Sequence, residues 1–195
     1  MNDIVERAKH LQEKAWSVIE ETGVIKHWSS IGATINLVGS LKTGLMIKNR
    51  DIDFHIYTNP FKLDASFLAI SRLAENQRIT KITYSNLLNA EDNCVEWHAF
   101  YEDQEGSPWQ IDMIHILSES PYAGYFENVA QRISKVLTQE TREAILGIKD
   151  GISVEKKVPS IQIYQAVIED GIRDIEAFWC WKKQHPNDGI ITWMP

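Results

Sequence analysis

The sequence has few cysteines and no long apolar run. Only 2 of its 195 residues are cysteine, Cys94 and Cys180, and they stand far apart. Such a pair provides neither a disulfide framework nor zinc-finger spacing, so we expect two buried thiols. No apolar run is long enough to span a membrane, and the N-terminus does not read as a signal peptide. These absences favour a cytoplasmic protein with no membrane partner.

Basic residues are also in the minority. Lys and Arg number 20 against 27 Asp and Glu, which gives a net charge of −7. A protein that holds long nucleic acid through its phosphates usually carries the opposite charge, so we do not expect long nucleic acid as a partner. With 44% hydrophobic residues, the chain can nevertheless build a sizeable core.

Apolar periodicity predicts mixed helices and strands as far as about residue 118. Helices are expected at 3–22, 41–47 and 63–76, and strands at 31–38, 51–57, 79–85, 93–101 and 109–117. The last two strands predict a hairpin. The fold class is therefore α+β, with a mixed sheet and flanking helices.

Beyond Ser118 the pattern predicts helices only. One helix should begin at Ser120 with a buried stripe, a second should follow Thr138, and a third region should begin at Ser160, with Gly171 as a possible interruption. The predicted stripe is Tyr122, Phe126, Val129, Ile133 and Val136. A charged linker is expected at 149–157. We thus expect a core at 1–118 and a helical part at 119–195 that packs on it as one cooperative unit.

The stretch from Leu37 to Tyr57 carries the candidate site. Gly39 and Ser40 end an apolar run, and a glycine there permits a sharp turn and close approach of backbone to a ligand. Asp51 and Asp53 follow in an alternating strand and share one face. Because neighbouring carboxylates repel each other, a divalent cation would compensate them. Asp-x-Asp alone is more often a solvated turn, so the spacing and the apolar flanks carry the argument.

This stretch resembles a known family. A Gly-Ser pair, a spacer of about ten residues and Asp-x-Asp are similar to the motif of the nucleotidyltransferase superfamily related to DNA polymerase beta, and Gly44 matches a further glycine frequent there. The resemblance covers residues 30–117. It departs before Asp51, where Asn49 and Arg50 stand in place of a frequent serine or threonine. It implies a third carboxylate on a later strand, for which Asp112 is the candidate.

The resemblance implies a metal-dependent enzyme that transfers a nucleoside monophosphate from an NTP, ATP being expected, to an unidentified small or protein acceptor. Asp51, Asp53 and Asp112 would be the catalytic residues and would bind Mg²⁺ or Mn²⁺, and Asp112 would help to deprotonate the acceptor. Gly39, Ser40 and Lys42 would bind the nucleotide, although Lys42 is equally well explained as a solubilising surface residue. The alternative is a catalytically silent protein of this fold that acts as a binding or regulatory module.

Three histidines and one glutamate also lie on the predicted strands. His55 shares the face of the two aspartates, and a structural pairing with an aspartate is favoured over a catalytic role. Glu96 and His98 share a face of the neighbouring strand and could approach the site, but an ordinary solvated face is the favoured interpretation. His115 has odd parity relative to Asp112, so it should face away from the site.

Overall fold

A mixed five-stranded sheet is the centre of the fold, and the computed structural model describes residues 3–153, 155–186 and 189–195. The strands are β1 (Thr34–Leu37), β2 (Asp51–Tyr57), β3 (Ile79–Leu87), β4 (Cys94–Glu102) and β5 (Pro108–Ile116). They lie in the order β1-β2-β5-β4-β3. Strands β2 and β5 run parallel, and every other neighbouring pair runs antiparallel. The predicted α+β class and the β4–β5 hairpin are confirmed.

The helices precede, interrupt and follow these strands. They are α1 (Asp3–Thr22), α2 (Val24–Ser29), α3 (Gly39–Thr43), α4 (Leu63–Ala74), α5 (Tyr125–Val136), α6 (Gln139–Gly151), α7 (Ser160–Ile168) and α8 (Ile175–Gln184). Within the described ranges, none of them combines the length and apolar character that crossing a bilayer would need.

The chain divides into two compact units. The sheet unit comprises Glu13–Leu41 and Arg50–Glu127. The helical unit comprises Met1–Gln12, Lys42–Asn49 and Asn128–Pro195. The sequence-based division at residue 118 stays a prediction, but the helical unit takes in two segments from the N-terminal part of the chain.

The sheet unit buries one face of its hairpin against helices. Strand β4 alternates as predicted: Val95, Trp97, Ala99 and Tyr101 are buried. Helix α2 packs on α4 and β1, and α4 packs on β3. Trp28 of α2 directs its Nε1–H to Met113 Sδ at 3.2 Å.

His115 lies in this apolar layer, facing away from Asp112 as its parity predicts. Its side chain is fully buried and stacks on Phe61 with ring centroids 4.3 Å apart. Its Nε2 is 2.9 Å from Thr58 Oγ1. Burial without a charged neighbour lowers the pKa of His115 to about 4, so the ring is neutral at physiological pH.

Several helix and strand boundaries differ from the predictions. Helix α3 begins at Gly39 rather than Leu41 and ends at Thr43, because Gly44 has a φ of 70°. Helix α5 begins at Tyr125 rather than Ser120, after Gly124 with a φ of 73°. Strand β1 is only four residues long. Val136, which the sequence predicts in the buried stripe of α5, is 44% exposed instead.

The helical unit holds the segment between α3 and β2 through its backbone carbonyls. Arg142 Nη1 donates to Gly44 O at 2.8 Å, Lys149 Nζ to Leu45 O at 2.7 Å, and Gln12 Nε2 to Met46 O at 3.1 Å. These donors fix the segment that leads into β2. The apolar contact beneath it joins Ala8, Ile47 and Leu146.

The helices α6, α7 and α8 pack on one another. A capping box at Thr138 and Thr141 starts α6, as predicted for Thr138. The predicted linker at 149–157 is too long, because α6 continues to Gly151. The last helical region is divided near Gly171, which has a φ of 69°.

Candidate active site

The parallel pairing of β2 with β5 brings two of the predicted carboxylates together. Asp53 and Asp112 are direct partners in the register, and Asp51 lies opposite Gln110. Adjacent strands lie about 4.8 Å apart, and alternate residues share a face, so all three carboxylates lie on one face of the sheet.

Gly39 fits closely against Asp53. The backbone N–H of Val38 donates to Asp53 O at 2.9 Å, which ties the turn after β1 to β2. Gly39 has a φ of 67°, and a Cβ placed on it would lie 2.0 Å from Asp53 Oδ2. Only glycine therefore allows this turn and this carboxylate to coexist. Ser40 follows half-buried in α3, and Lys42 lies exposed in the last turn of the same helix.

Asp112 is held by two neighbours. His98 on β4 lies directly opposite it, with His98 Nδ1 2.6 Å from Asp112 Oδ1. Gln110 Nε2 donates to the same oxygen at 2.7 Å. Both contacts fall on Oδ1, so the carboxylate is oriented from one side.

The interpretation of Glu96 and His98 as a solvated face is therefore wrong. Their side chains are only 29% and 26% exposed, and His98 Nε2 lies 3.5 Å from Glu96 Oε2. Burial disfavours the charged ring of His98, but the nearby carboxylates of Asp112 and Glu96 outweigh it and raise the pKa of His98. The imidazole thus links two acidic side chains at the edge of the candidate site.

His55 also has a carboxylate partner, but a glutamate from α5 rather than an aspartate. Its Nδ1 lies 3.3 Å from Glu127 Oε2, and Tyr57 Oη donates to Glu127 Oε1 at 2.7 Å. Burial alone would raise the pKa of Glu127, yet these contacts lower it. Local sequence gives no signal for this partner, because Glu127 is 72 residues from His55 in sequence.

A second group of potential metal ligands lies at the start of β4. Asp92, Cys94 and Glu96 place their ligand atoms within 4.8 Å of one another. Cys94 is buried, as expected of a thiol without a disulfide, and its Sγ lies 3.3 Å from Asp92 Oδ2. Burial and this neighbouring carboxylate raise the pKa of the Cys94 thiol, which disfavours the thiolate that a metal needs. Cys180, by contrast, is exposed, so the expectation of burial is wrong there.

The three aspartates suit a hard divalent cation better. Their donors are all carboxylate oxygens, the ligands that Mg²⁺ and Mn²⁺ prefer. Because Gly39 has no Cβ, its backbone fits closely against Asp53 Oδ2 at the turn where a phosphate would approach. The residues present therefore fit a metal bound together with a phosphorylated ligand.

The sequence model of one family, described as "Nucleotidyltransferase domain", matches residues 21–173. The chain belongs to this nucleotidyltransferase family. The match confirms the resemblance carried by Gly39, Ser40, Asp51 and Asp53. The match begins near the end of α1, includes all five strands and ends between α7 and α8.

Solved structures of the same fold include polymerases that act on RNA. A poly(A) polymerase complex of GLD-2 with GLD-3 has a TM-score of 0.57 at 11% identity, covering 86% of this chain and 58% of that chain. Cid1 poly(U) polymerase with MgGTP bound has a TM-score of 0.57 at 16% identity, with 82% and 49% covered. The chain thus spans only about half the length of these nucleotidyltransferases. No curated protein matches it in sequence.

Proposed function

We propose that this nucleotidyltransferase transfers a nucleoside monophosphate from an NTP, with ATP as the first candidate, to an acceptor hydroxyl in a metal-dependent reaction. One observation carries the proposal: Asp53 is paired with Asp112 across parallel strands while Gly39 lies against the Asp53 carboxylate. Carboxylates beside a glycine turn that admits phosphate suit phosphoryl chemistry, in which catalysis is mainly positioning and charge neutralisation.

Each residue has a distinct part in this scheme. Gly39 and Ser40 approach the outer phosphates of the nucleotide, and Lys42 is available to neutralise them. Asp51, Asp53 and Asp112 would hold Mg²⁺ or Mn²⁺, which supplies charge neutralisation at the reacting phosphate. The acceptor oxygen attacks the α-phosphorus, the bond from that phosphorus to the bridging oxygen breaks, and pyrophosphate leaves.

Asp112 is the proposed proton acceptor. His98 and Gln110 both contact Oδ1, so Oδ2 is the oxygen oriented to take the proton of the acceptor hydroxyl. His98 and Gln110 are positioning residues in this proposal, since they act through Asp112.

The acceptor has two candidate classes. The net charge of −7 favours a small molecule or a protein over a polyanion. The expectation that long nucleic acid is no partner finds no support among the neighbours, one of which is described by its RNA terminal uridylyl transferase activity. An RNA end is therefore the second candidate acceptor.

The Asp53→Asn variant tests the proposal. It should be as stable as the unmodified protein or more so without metal, because it relieves carboxylate repulsion. It should also lose the rise in melting temperature that about 10 mM Mg²⁺ produces through binding to the native state. Transfer of label from an NTP labelled at the α-phosphate should disappear with it.

Asp92→Asn is the matched control, since it makes the same change in the second carboxylate group. It should keep both the metal-dependent stabilisation and the transfer. If Asp92→Asn loses the stabilisation and Asp53→Asn keeps it, the metal binds at Asp92, Cys94 and Glu96 instead. If both keep it and no acceptor is labelled, the protein is the catalytically silent module.

A further inference from the structure

A cavity of about 390 Å³ lies within the helical unit. Four of its lining side chains are Lys48, Lys149, Lys156 and Lys157, and none of the lining residues that the structure describes is acidic. We call it the lysine pocket. The chain has a net charge of −7, so four positive charges around one cavity make a local region of positive electrostatic potential on a negatively charged protein.

Three of the four ammonium groups of the lysine pocket are held by neutral groups. Lys48 Nζ donates to the backbone oxygens of Asp150 and Ile152 at 3.0 and 2.8 Å. Lys149 Nζ donates to Leu45 O, and Lys156 Nζ lies 4.6 Å over the ring of Trp179. Carbonyls and rings position these cations without cancelling their charge, so the cavity keeps its positive potential.

The carboxylate of Asp150, whose backbone oxygen contacts Lys48, is paired with Arg7. Asp150 receives two hydrogen bonds from Arg7, at 2.7 and 3.1 Å, and this ion pair neutralises it. The hydrogen bond of Lys48 to Asp150 is to its backbone oxygen and not to its carboxylate. The Asp150 carboxylate is thus paired with a cation outside the cavity lining.

Two further features favour an anion in the cavity. Helix α7 begins at Ser160, which lines the pocket, and its N-cap residue Pro159 has no side-chain hydrogen bond to cap the helix. The first N–H groups of a helix and its dipole favour negative charge at this end. The hydroxyls of Ser153 and Ser160 can add hydrogen bonds to phosphate oxygens.

The lining also indicates which anion fits. A nucleoside triphosphate arrives with Mg²⁺, which prefers carboxylate ligands, and a base is commonly stacked on an aromatic side chain. The described lining has neither a carboxylate nor an aromatic side chain. Phosphodiester groups fit better, because each carries one charge and binds lysine without a metal.

We propose that the lysine pocket binds phosphodiester groups of a single-stranded oligonucleotide that serves as the acceptor. The role as acceptor rests on the proposed nucleotidyl transfer, whereas the binding itself does not. The local positive charge of the lysine pocket favours a polyanionic acceptor, although the net charge of the chain is negative.

Binding of a labelled single-stranded oligoribonucleotide of about 15 nucleotides tests the proposal by fluorescence anisotropy. The measurement is made in EDTA and without NTP, over salt concentrations from about 50 to 200 mM. The variant Lys156→Gln/Lys157→Gln should bind about tenfold more weakly, whatever the base sequence. Its plot of log affinity against log salt should lose about 1.4 units of slope, since each single-strand phosphate contact contributes about 0.7.

The control is Lys135→Gln/Lys183→Gln, which removes the same charge from exposed helix positions outside the pocket lining. It should retain the affinity and the slope of the unmodified protein. An equal loss in both double variants, or no binding by the unmodified protein at low salt, overturns the proposal. Displacement of the oligonucleotide by an equimolar amount of inorganic triphosphate also overturns the proposal, because the pocket would then bind the triphosphate of a nucleotide.

The same assay separates this inference from the proposed function. Asp53→Asn cannot carry out the proposed transfer, but it should bind the oligonucleotide as the unmodified protein does. Binding without any transfer by the unmodified protein would support the pocket and contradict the enzyme. Transfer to a small acceptor without oligonucleotide binding would support the enzyme and overturn the pocket.

Discussion

Gly39 is the residue at which the backbone and side-chain requirements of the candidate site meet. Its positive φ and its closeness to Asp53 Oδ2 are separate constraints, and only the first can be read from the Gly-Ser motif. The second depends on the pairing of the turn with β2 through Val38 N–H and Asp53 O. A matched pair of glycine substitutions can therefore separate them.

We predict that Gly39→Ala lowers the free energy of unfolding by about 3 kcal/mol, since the new Cβ must displace Asp53. Gly32→Ala is the control, because Gly32 has a φ of 80° but nothing within 4 Å of an added Cβ. It should cost about 1 kcal/mol through backbone strain alone. Urea unfolding measures both, and equal losses would contradict the close contact with Asp53.

His115 gives a pH dependence that does not involve the candidate site. Its pKa is about 4 in the folded protein and about 6.5 when unfolded, so the unfolded chain binds the proton more tightly. Its contribution to stability is complete above pH 6.5 and is lost at about 1.4 kcal/mol per pH unit as pH falls towards 4.

The variant His115→Phe removes this titration while keeping an aromatic ring beside Phe61. Its stability should therefore fall less steeply than that of the unmodified protein between about pH 6.5 and pH 4. Thermal or urea unfolding at several pH values compares the two slopes. Parallel slopes would show that His115 is not the group being protonated on unfolding.

At the scale of elements, the segment from Gly44 to Ile47 depends on α6. Arg142 and Lys149 of that helix donate to its carbonyls, and Leu146 packs under Ile47. The capping box at Thr138 fixes where α6 begins and so which way these side chains point.

We expect Thr138→Ala to destabilise the protein by about 1 kcal/mol through loss of the cap. Gln139→Ala, one position later, removes only an exposed side chain bonded to Glu143 and should change stability by less than about 0.5 kcal/mol. Chemical denaturation distinguishes the two. A larger effect at Gln139 would mean that the cap does not determine the start of α6.

Much of the element order could be predicted because local patterns determine it. Strand β2 and helix α1 have the boundaries that their periodicity indicates, and the β4–β5 hairpin follows from two alternating runs. The register of that hairpin could not be predicted, because it depends on the geometry of the turn. His98 lies opposite Asp112 only in this register, which is why it was interpreted as solvated.

The site shows the same division between local and distant information. The spacing from Gly39 through Asp53 predicts two of the candidate carboxylates, and the family resemblance predicts Asp112 as the third. Glu127, the partner of His55, comes from a helix far along the chain and has no local signature. The lysine pocket likewise combines residues from 48–49 and 149–163, a grouping that no window of sequence reveals.

For the whole molecule, the order of the segments along the chain determines which truncated fragments keep their packing partners. The helical unit consists of three separate segments, and the segments Met1–Gln12 and Lys42–Asn49 both precede residue 118. Their partners in that unit come from α6 and the residues that follow it: Arg7 bonds Asp150, and Gly44 and Leu45 accept from Arg142 and Lys149. A chain ending at residue 118 would lack all of these partners.

We therefore predict that residues 1–118, the core expected from sequence alone, do not form a protected domain by themselves. Without α6, the segment that contains the buried side chains of Leu45, Met46 and Ile47 loses the donors to Gly44 O and Leu45 O and the apolar contact with Leu146. Limited proteolysis should cut the truncated chain between residues 42 and 49, while the full chain resists at the same sites. Because this segment leads directly into Asp51, the truncated chain should also show no rise in melting temperature with Mg²⁺. A cooperative melt of residues 1–118 with an intact 42–49 segment would show that the sheet unit needs nothing from the helical part, and that the boundary at residue 118 is a true domain boundary.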